Sequence, residues 1–201
     1  QFVGTCLLAI KNGLNYNRKM KTAQIISGIR TILEDLLENS LKKADKLTLI
    51  DRRVLRDQDI RDMDSESLCM ILDFIRMRIF PFINDKSTAG QDLLNLFFIT
   101  FNKYVGKSDK NQAFTPDHIT DFMAKICNVN KKSVVLDMAC GSGSFLVRAM
   151  TQALADCHTQ AEEDEVKKCH IYGVEYDELV YGLATTNMLI HSDGNSNIVQ
   201  G

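Results

Sequence analysis

The sequence predicts an α/β protein: a helical part over residues 1–110, then a part over 111–201 in which strands alternate with helices. Three observations carry this. Apolar residues recur at helical spacing through the N-terminal half. From residue 133 onward, short β-branched runs are separated by helical stretches. Between the first of those runs and the helix after it stands Gly141-Ser142-Gly143, a turn where backbone comes close to a ligand.

The elements follow in order. Ile25, Ile29, Ile32, Leu33, Leu36, Leu37 and Leu41 mark one amphipathic helix, and Leu68, Ile71, Leu72, Ile75 and Ile79 mark a second. Between them, 46–50 fits a short strand or a turn. Pro81 ends or bends the second helix. A third helix carries Leu93, Leu94, Phe97, Phe98, Phe101 and Tyr104 and closes at Gly106, a C-cap residue. Those aromatics read as core rather than as a base-stacking platform. The polar stretch 107–112 marks the domain boundary. Beyond it come helix 116–127, strand 133–137, helix 143–156, a charged connection over 159–168, strand 170–175 and helix 177–191. Strands joined through helices imply a parallel sheet with right-handed crossovers. The run Val134-Val135-Leu136 suits a strand buried on both faces.

Composition bounds the function. The chain of 201 residues is 45% hydrophobic and 25% charged, and no run approaches a membrane span. A cytoplasmic protein is the expectation. Six cysteines occur without a Cys-x-x-Cys pair, so reduced thiols are expected rather than disulfides. Cys157-His158 and Cys169-His170 lack the short ligand spacing of a zinc site, and no metal is expected. Residues 1–112 hold 18 Lys and Arg against 14 Asp and Glu, while 113–201 hold 6 against 12. That basic excess is too small to define a DNA patch. The mixed signs of Asp51-Arg52-Arg53-Val54-Leu55-Arg56-Asp57 read as a solvated surface.

The glycine turn is the informative motif. The strand run stops at Asp137, and Gly141 and Gly143 open onto an apolar helix whose N-terminus offers unpaired N–H groups. A dinucleotide fingerprint wants a third glycine or alanine where Leu146 stands, and an acid roughly 20 residues on. A phosphate-binding loop wants Gly-Lys-Ser/Thr, which is absent. An acid placed before the glycines suits a cofactor carrying an ammonium and a sulfonium better than one carrying a pyrophosphate. The plain alternative is an ordinary tight strand-to-helix turn.

Three further segments extend the motif: Gln112-Ala113-Phe114-Thr115-Pro116 upstream, then Tyr172-Gly173-Val174-Glu175-Tyr176-Asp177, then 184–191, Ala-Thr-Thr-Asn-Met-Leu-Ile-His. In this order the chain resembles the adenine-specific DNA methyltransferases, and most of all the modification subunits of type I restriction–modification systems. The resemblance runs from about Leu93 to Gly201. It departs from the family at Met138, where a proline is usual, a matter of loop stiffness more than of ligand chemistry.

The resemblance implies a Rossmann-like, S-adenosylmethionine-dependent domain. Its cofactor-binding residues would be Phe114, Thr115, Pro116, Asp137, Ala139, Gly141, Gly143, Phe145, Glu175 and Tyr176. Asp137 and the glycine loop would hold the amino-acid end, Thr115 would face the methionine carboxylate, and Glu175 would take both ribose hydroxyls. Tyr172 or Tyr176 would stack on the adenine ring. Thr115 also reads as an N-cap, with Pro116 at the first helical position. The family's catalytic Asn/Asp-Pro-Pro-Phe/Tyr motif is not among these residues, whose two prolines are Pro81 and Pro116. A third strand is expected to start at 198, and the chain is expected to be a fragment that does not methylate alone. Implied partners are DNA, a specificity subunit and a restriction subunit, with the helical half serving contacts rather than chemistry. The alternatives are a methyltransferase of RNA, protein or a small molecule, and a non-catalytic assembly module.

Overall fold

A computed structural model describes residues 1–83, 115–191 and 197–201. The helical part contains α1 (Phe2–Lys11), α2 (Thr22–Leu36) and α3 (Lys43–Ile50), which runs directly into a π-helical turn (Asp51–Leu55). Short α4 (Gln58–Arg61), α5 (Ser65–Arg78) and short α6 (Phe80–Ile83) follow. The undecided stretch 46–50 is thus helical. Pro81 falls inside α6, after α5 has ended at Arg78. The third helix read at 93–106, and Phe114, lie outside the described residues.

The second part contains α7 (Asp117–Ile126), β1 (Val135–Asp137), α8 (Ser144–Ala155), α9 (Gln160–Cys169), β2 (Ile171–Glu175), α10 (Glu178–Ile190) and β3 (Ile198–Gln200). The three strands form a parallel sheet in the order β1-β2-β3. Asp137 lies opposite Gly173, and Glu175 opposite Gln200. Both crossovers return over helices, as parallel pairing requires.

Three expectations change. The charged connection at 159–168 is a helix, because Thr159 Oγ1 accepts the Glu162 N–H while the Glu162 carboxylate accepts the Thr159 N–H, a reciprocal capping box. Val166 is its one buried residue, so an apolar stripe was too thin to read. Helix α7 begins one residue later than expected: Pro116 is its N-cap, extended at ψ 144°, and its carbonyl accepts the first N–H bonds. Strand β1 is not buried on both faces, since Val134 is 66% and Leu136 60% exposed. Among the described residues β1 pairs on one edge only, with β2.

Two cores form, joined by long helices. One gathers Ile25, Ile29 and Leu33 of α2 with Leu68 and Leu72 of α5 around Leu7 and Leu8 of α1, and it also takes Leu189 and Ile190 from α10. The other packs Leu146, Val147 and Met150 of α8 against Ile171, Ala184 and Met188, and receives Leu49 from α3. Helix α1 therefore lies between α2, α5 and α10. It carries no amphipathic stripe because it is covered nearly all round. Among the described residues no helix is long and apolar enough to cross a membrane.

Candidate functional site

The C-terminal ends of β1 and β2 place two carboxylates beside one turn. Ligands of open parallel sheets bind in the crevice outside those strand ends. Asp137 ends β1, and its Oδ1 accepts the Ala139 N–H at 3.1 Å, folding the chain sharply toward the glycines. Glu175 ends β2. Its Oε2 accepts the Gly141 N–H at 2.9 Å, and its Oε1 accepts the Asp177 N–H at 2.8 Å. The loop is sewn to β2 a second time, by the Cys140 N–H to the Val174 carbonyl at 3.0 Å.

Gly141 and Gly143 sit at φ 57° and 83°, left-handed conformations that side chains rarely adopt. Gly143 is the N-cap of α8, so the turn delivers the chain directly into that helix, whose first N–H groups have no partner within the helix. Two interactions hold the loop from beneath. Ser142 and Ser144 share a hydroxyl–hydroxyl bond at 3.0 Å, and Asn187 Nδ2 of α10 donates to the Ser142 carbonyl at 2.9 Å. Cys140 is buried here. Burial first, and the negative charge of Asp137 and Glu175 after it, push its thiol up to about 12. It is a neutral packing group, not a nucleophile.

The expected site residues divide accordingly. Asp137, Gly141, Gly143 and Glu175 meet in this cluster. Ala139 and Phe145 join Asp137 in lining an adjacent groove of about 800 Å³, which runs between α7, β1 and α8. Its other walls include Met123, Leu136 and Met138. Thr115 and Pro116 head α7, one turn before Thr120 on the same groove. Tyr176, just past β2, is 86% exposed with its ring unconstrained by burial. Asn187 entered the sequence reading only as part of the 184–191 segment, without a role of its own; on a buried helix face its amide has to find a backbone partner.

The comparisons agree with this architecture. The family model for N-6 DNA Methylase matches residues 91–200. The type II restriction enzyme and methyltransferase RM.BcgI of Heyndrickxia coagulans is 39% identical over 118 residues, covering 57% of this chain and 18% of that protein. The type I restriction enzyme EcoEI methylase subunit of Escherichia coli is 35% identical over 78 residues, 39% of this chain and 16% of that one. The chain thus spans less than a fifth of the length of these curated relatives. A crystal structure from Vibrio vulnificus YJ016, described as a modification subunit of a type I restriction enzyme, superposes with a TM-score of 0.61 at 21% identity. It covers 84% of this chain and 34% of that one, a likeness of fold. With a helix-rich body, a parallel sheet and a matched model over more than half its length, the chain belongs to the N-6 DNA methylase family.

Proposed function

We propose that this chain is the cofactor-binding part of an enzyme that transfers a methyl group from S-adenosylmethionine to the exocyclic amino group of adenine in DNA, within a type I restriction–modification system. The observation that carries the reading is the Asp137–Gly141–Glu175 cluster: two carboxylates at neighbouring strand ends around a positive-φ turn.

The donor set fits the cofactor. Asp137 has one oxygen engaged by a backbone N–H, which leaves acceptor capacity for an ammonium group. Each Glu175 oxygen accepts one backbone N–H and keeps a second lone pair for a ribose hydroxyl. Gly141 has open space where a side chain would stand, so the ligand can approach the backbone. Thr115 would face the methionine carboxylate, with Phe114 and Pro116 beside it. Ala139 and Phe145 would border the bound cofactor, and Tyr176 would stack on its adenine. When bound, the cofactor supplies an electrophilic methyl group; the residues named here bind and orient it.

The sheet is the start of a Rossmann-like domain over 111–201, preceded by a helical domain over 1–110. DNA, a specificity subunit and a restriction subunit are its partners, in the cytoplasm. The higher identity to RM.BcgI supports a second reading, in which the same methyltransferase belongs to a type II restriction enzyme.

Calorimetric titration with S-adenosylhomocysteine tests the site. Asp137→Ala and Glu175→Ala should each weaken binding by about 1–3 kcal/mol, the scale for hydrogen bonds to charged groups. Wild-type affinity in both variants would refute the assignment.

A further inference from the structure

Read in sequence, 51–57 is a run of mixed charge; folded, its signs separate. The π-helical turn is wider than an α-turn, and it closes with the Arg56 N–H on the Asp51 carbonyl at 2.8 Å. That geometry puts positions 51 and 56 on one side. The Asp51 side chain is only 14% exposed and pairs with both Arg56 and Arg30 of α2. Asp57 turns away to cap α4, its Oδ1 accepting the Asp59 N–H at 3.0 Å. The acids are therefore consumed by structure, and the guanidiniums face outward. A groove of about 550 Å³ opens there, lined by Ser27 and Arg30 of α2, Leu55 and Arg56 of the turn, and Arg61 of α4. Among the described residues, no carboxylate lines it.

We propose that this arginine groove binds a phosphodiester of the duplex DNA backbone, without regard to base sequence. Guanidinium forks match phosphate oxygens, and three of them against the single Asp51 carboxylate leave a net positive site. Asp51 pairs with Nη2 of Arg30 and Nε of Arg56, and each guanidinium carries five N–H donors, more than one carboxylate can take up. It also holds both head groups in place before any ligand arrives, which lowers the ordering cost of binding. The position links the groove to the candidate cofactor site. Arg52 and Arg53 of the same turn pair with Glu178, the first residue of α10 and three residues beyond Glu175. A strand held in the groove is thereby tied to the end of β2 that carries the candidate cofactor carboxylate. The inference rests on reading the chain as part of a DNA methyltransferase.

Fluorescence anisotropy with short labelled duplexes of two unrelated sequences, across a range of salt concentrations, tests it on the whole chain. Arg56→Gln combined with Arg61→Gln should weaken binding to both duplexes alike, by roughly tenfold at low salt, and lower the log–log salt slope by about two. Arg61→Gln alone, which leaves the Asp51 pairs intact, should lower the slope by about one. Unchanged affinity and slope in the double variant would overturn the proposal, as would a loss confined to one duplex or a wild-type chain with no salt-dependent DNA binding. Titration with S-adenosylhomocysteine separates this from the preceding reading. Arginine-dependent DNA binding without cofactor binding sinks the methyltransferase site and leaves the groove standing. Cofactor binding that depends on Asp137 and Glu175, with DNA binding indifferent to the arginines, sinks the groove alone.

Discussion

Gly173 shows how tightly the candidate site is built. It sits in β2 opposite Asp137, and a Cβ there would lie 2.7 Å from Cδ1 of both Ile198 and Leu146 and 3.0 Å from Cys140 Sγ. Those atoms belong to β3, α8 and the glycine loop, so no single rotamer change relieves the clash. Gly173→Ala should cost about 1–3 kcal/mol, the range for overpacked cores, seen as a lower urea midpoint. Because the loop is displaced along with the core, cofactor affinity should fall with it. An unchanged midpoint would mean that the strand, helix and loop give way together at little cost. Gly143 differs: its Cβ would meet only ordinary contacts, near 3.7 Å from Met188 Sδ, and its constraint is the left-handed φ.

At the scale of elements, the seam between α1 and α10 has a pH dependence built in. His191 follows α10, and its imidazole Nε2 is buried without a hydrogen-bond partner among the described residues. Burial first, and the Lys11 ammonium second, lower its pKa from 6.5 to about 4. The folded state thus holds His191 neutral while the unfolded chain protonates it. Its contribution is complete above pH 6.5 and is lost as pH falls toward 4. Denaturation of wild type should show a loss on the order of 1–2 kcal/mol between about pH 8 and pH 5 that His191→Gln lacks. Parallel pH profiles for the two proteins would rule this out. Helix α9 offers a simpler test: Thr159→Ala removes one half of the capping box and should cost about 1 kcal/mol of stability.

At the scale of the whole molecule, the helical part cannot be peeled away. Leu7, Leu8, Cys6 and Ala9 of α1 are buried, and the core they enter includes Leu189 and Ile190 of α10. The same α10 holds the glycine loop through Asn187. The packing predicts that the helical half supports cofactor binding as well as contacts. Deleting residues 1–11 should lower the melting temperature and abolish S-adenosylhomocysteine binding, because each fully buried Leu contributes about 1.5–3 kcal/mol. Retained binding after the deletion would show that α10 keeps its place unaided. The chain by itself should transfer no methyl group to duplex DNA. Its sequence has no Asn/Asp-Pro-Pro-Phe/Tyr segment, and transfer needs the acceptor amine held in line with the donor. Radiolabel appearing in adenine would disprove this.

The sequence by itself determined the elements whose signals are local. Asp137, Gly141 and Gly143 mark a strand end and a turn whatever surrounds them, and the alternation of strands and helices implied the parallel sheet that β1, β2 and β3 form. The amphipathic helices α2 and α5 were legible because each buries one face, although α2 stops at Leu36 and leaves Leu41 of its stripe outside and exposed. Contacts between distant segments were decided only by the tertiary structure. Glu175 was read as a ligand carboxylate, yet its hold on Gly141 across 34 positions leaves no periodic trace. Helix α1 escaped notice because burial on all sides erases the stripe that betrays a surface helix. The charges at 51–57 looked like solvated surface until a π-turn and a partner on α2 drew Asp51 inward and left the arginines outside. Local chemistry is written along the chain, but which side chains face one another depends on how its segments cross, and that is set by packing.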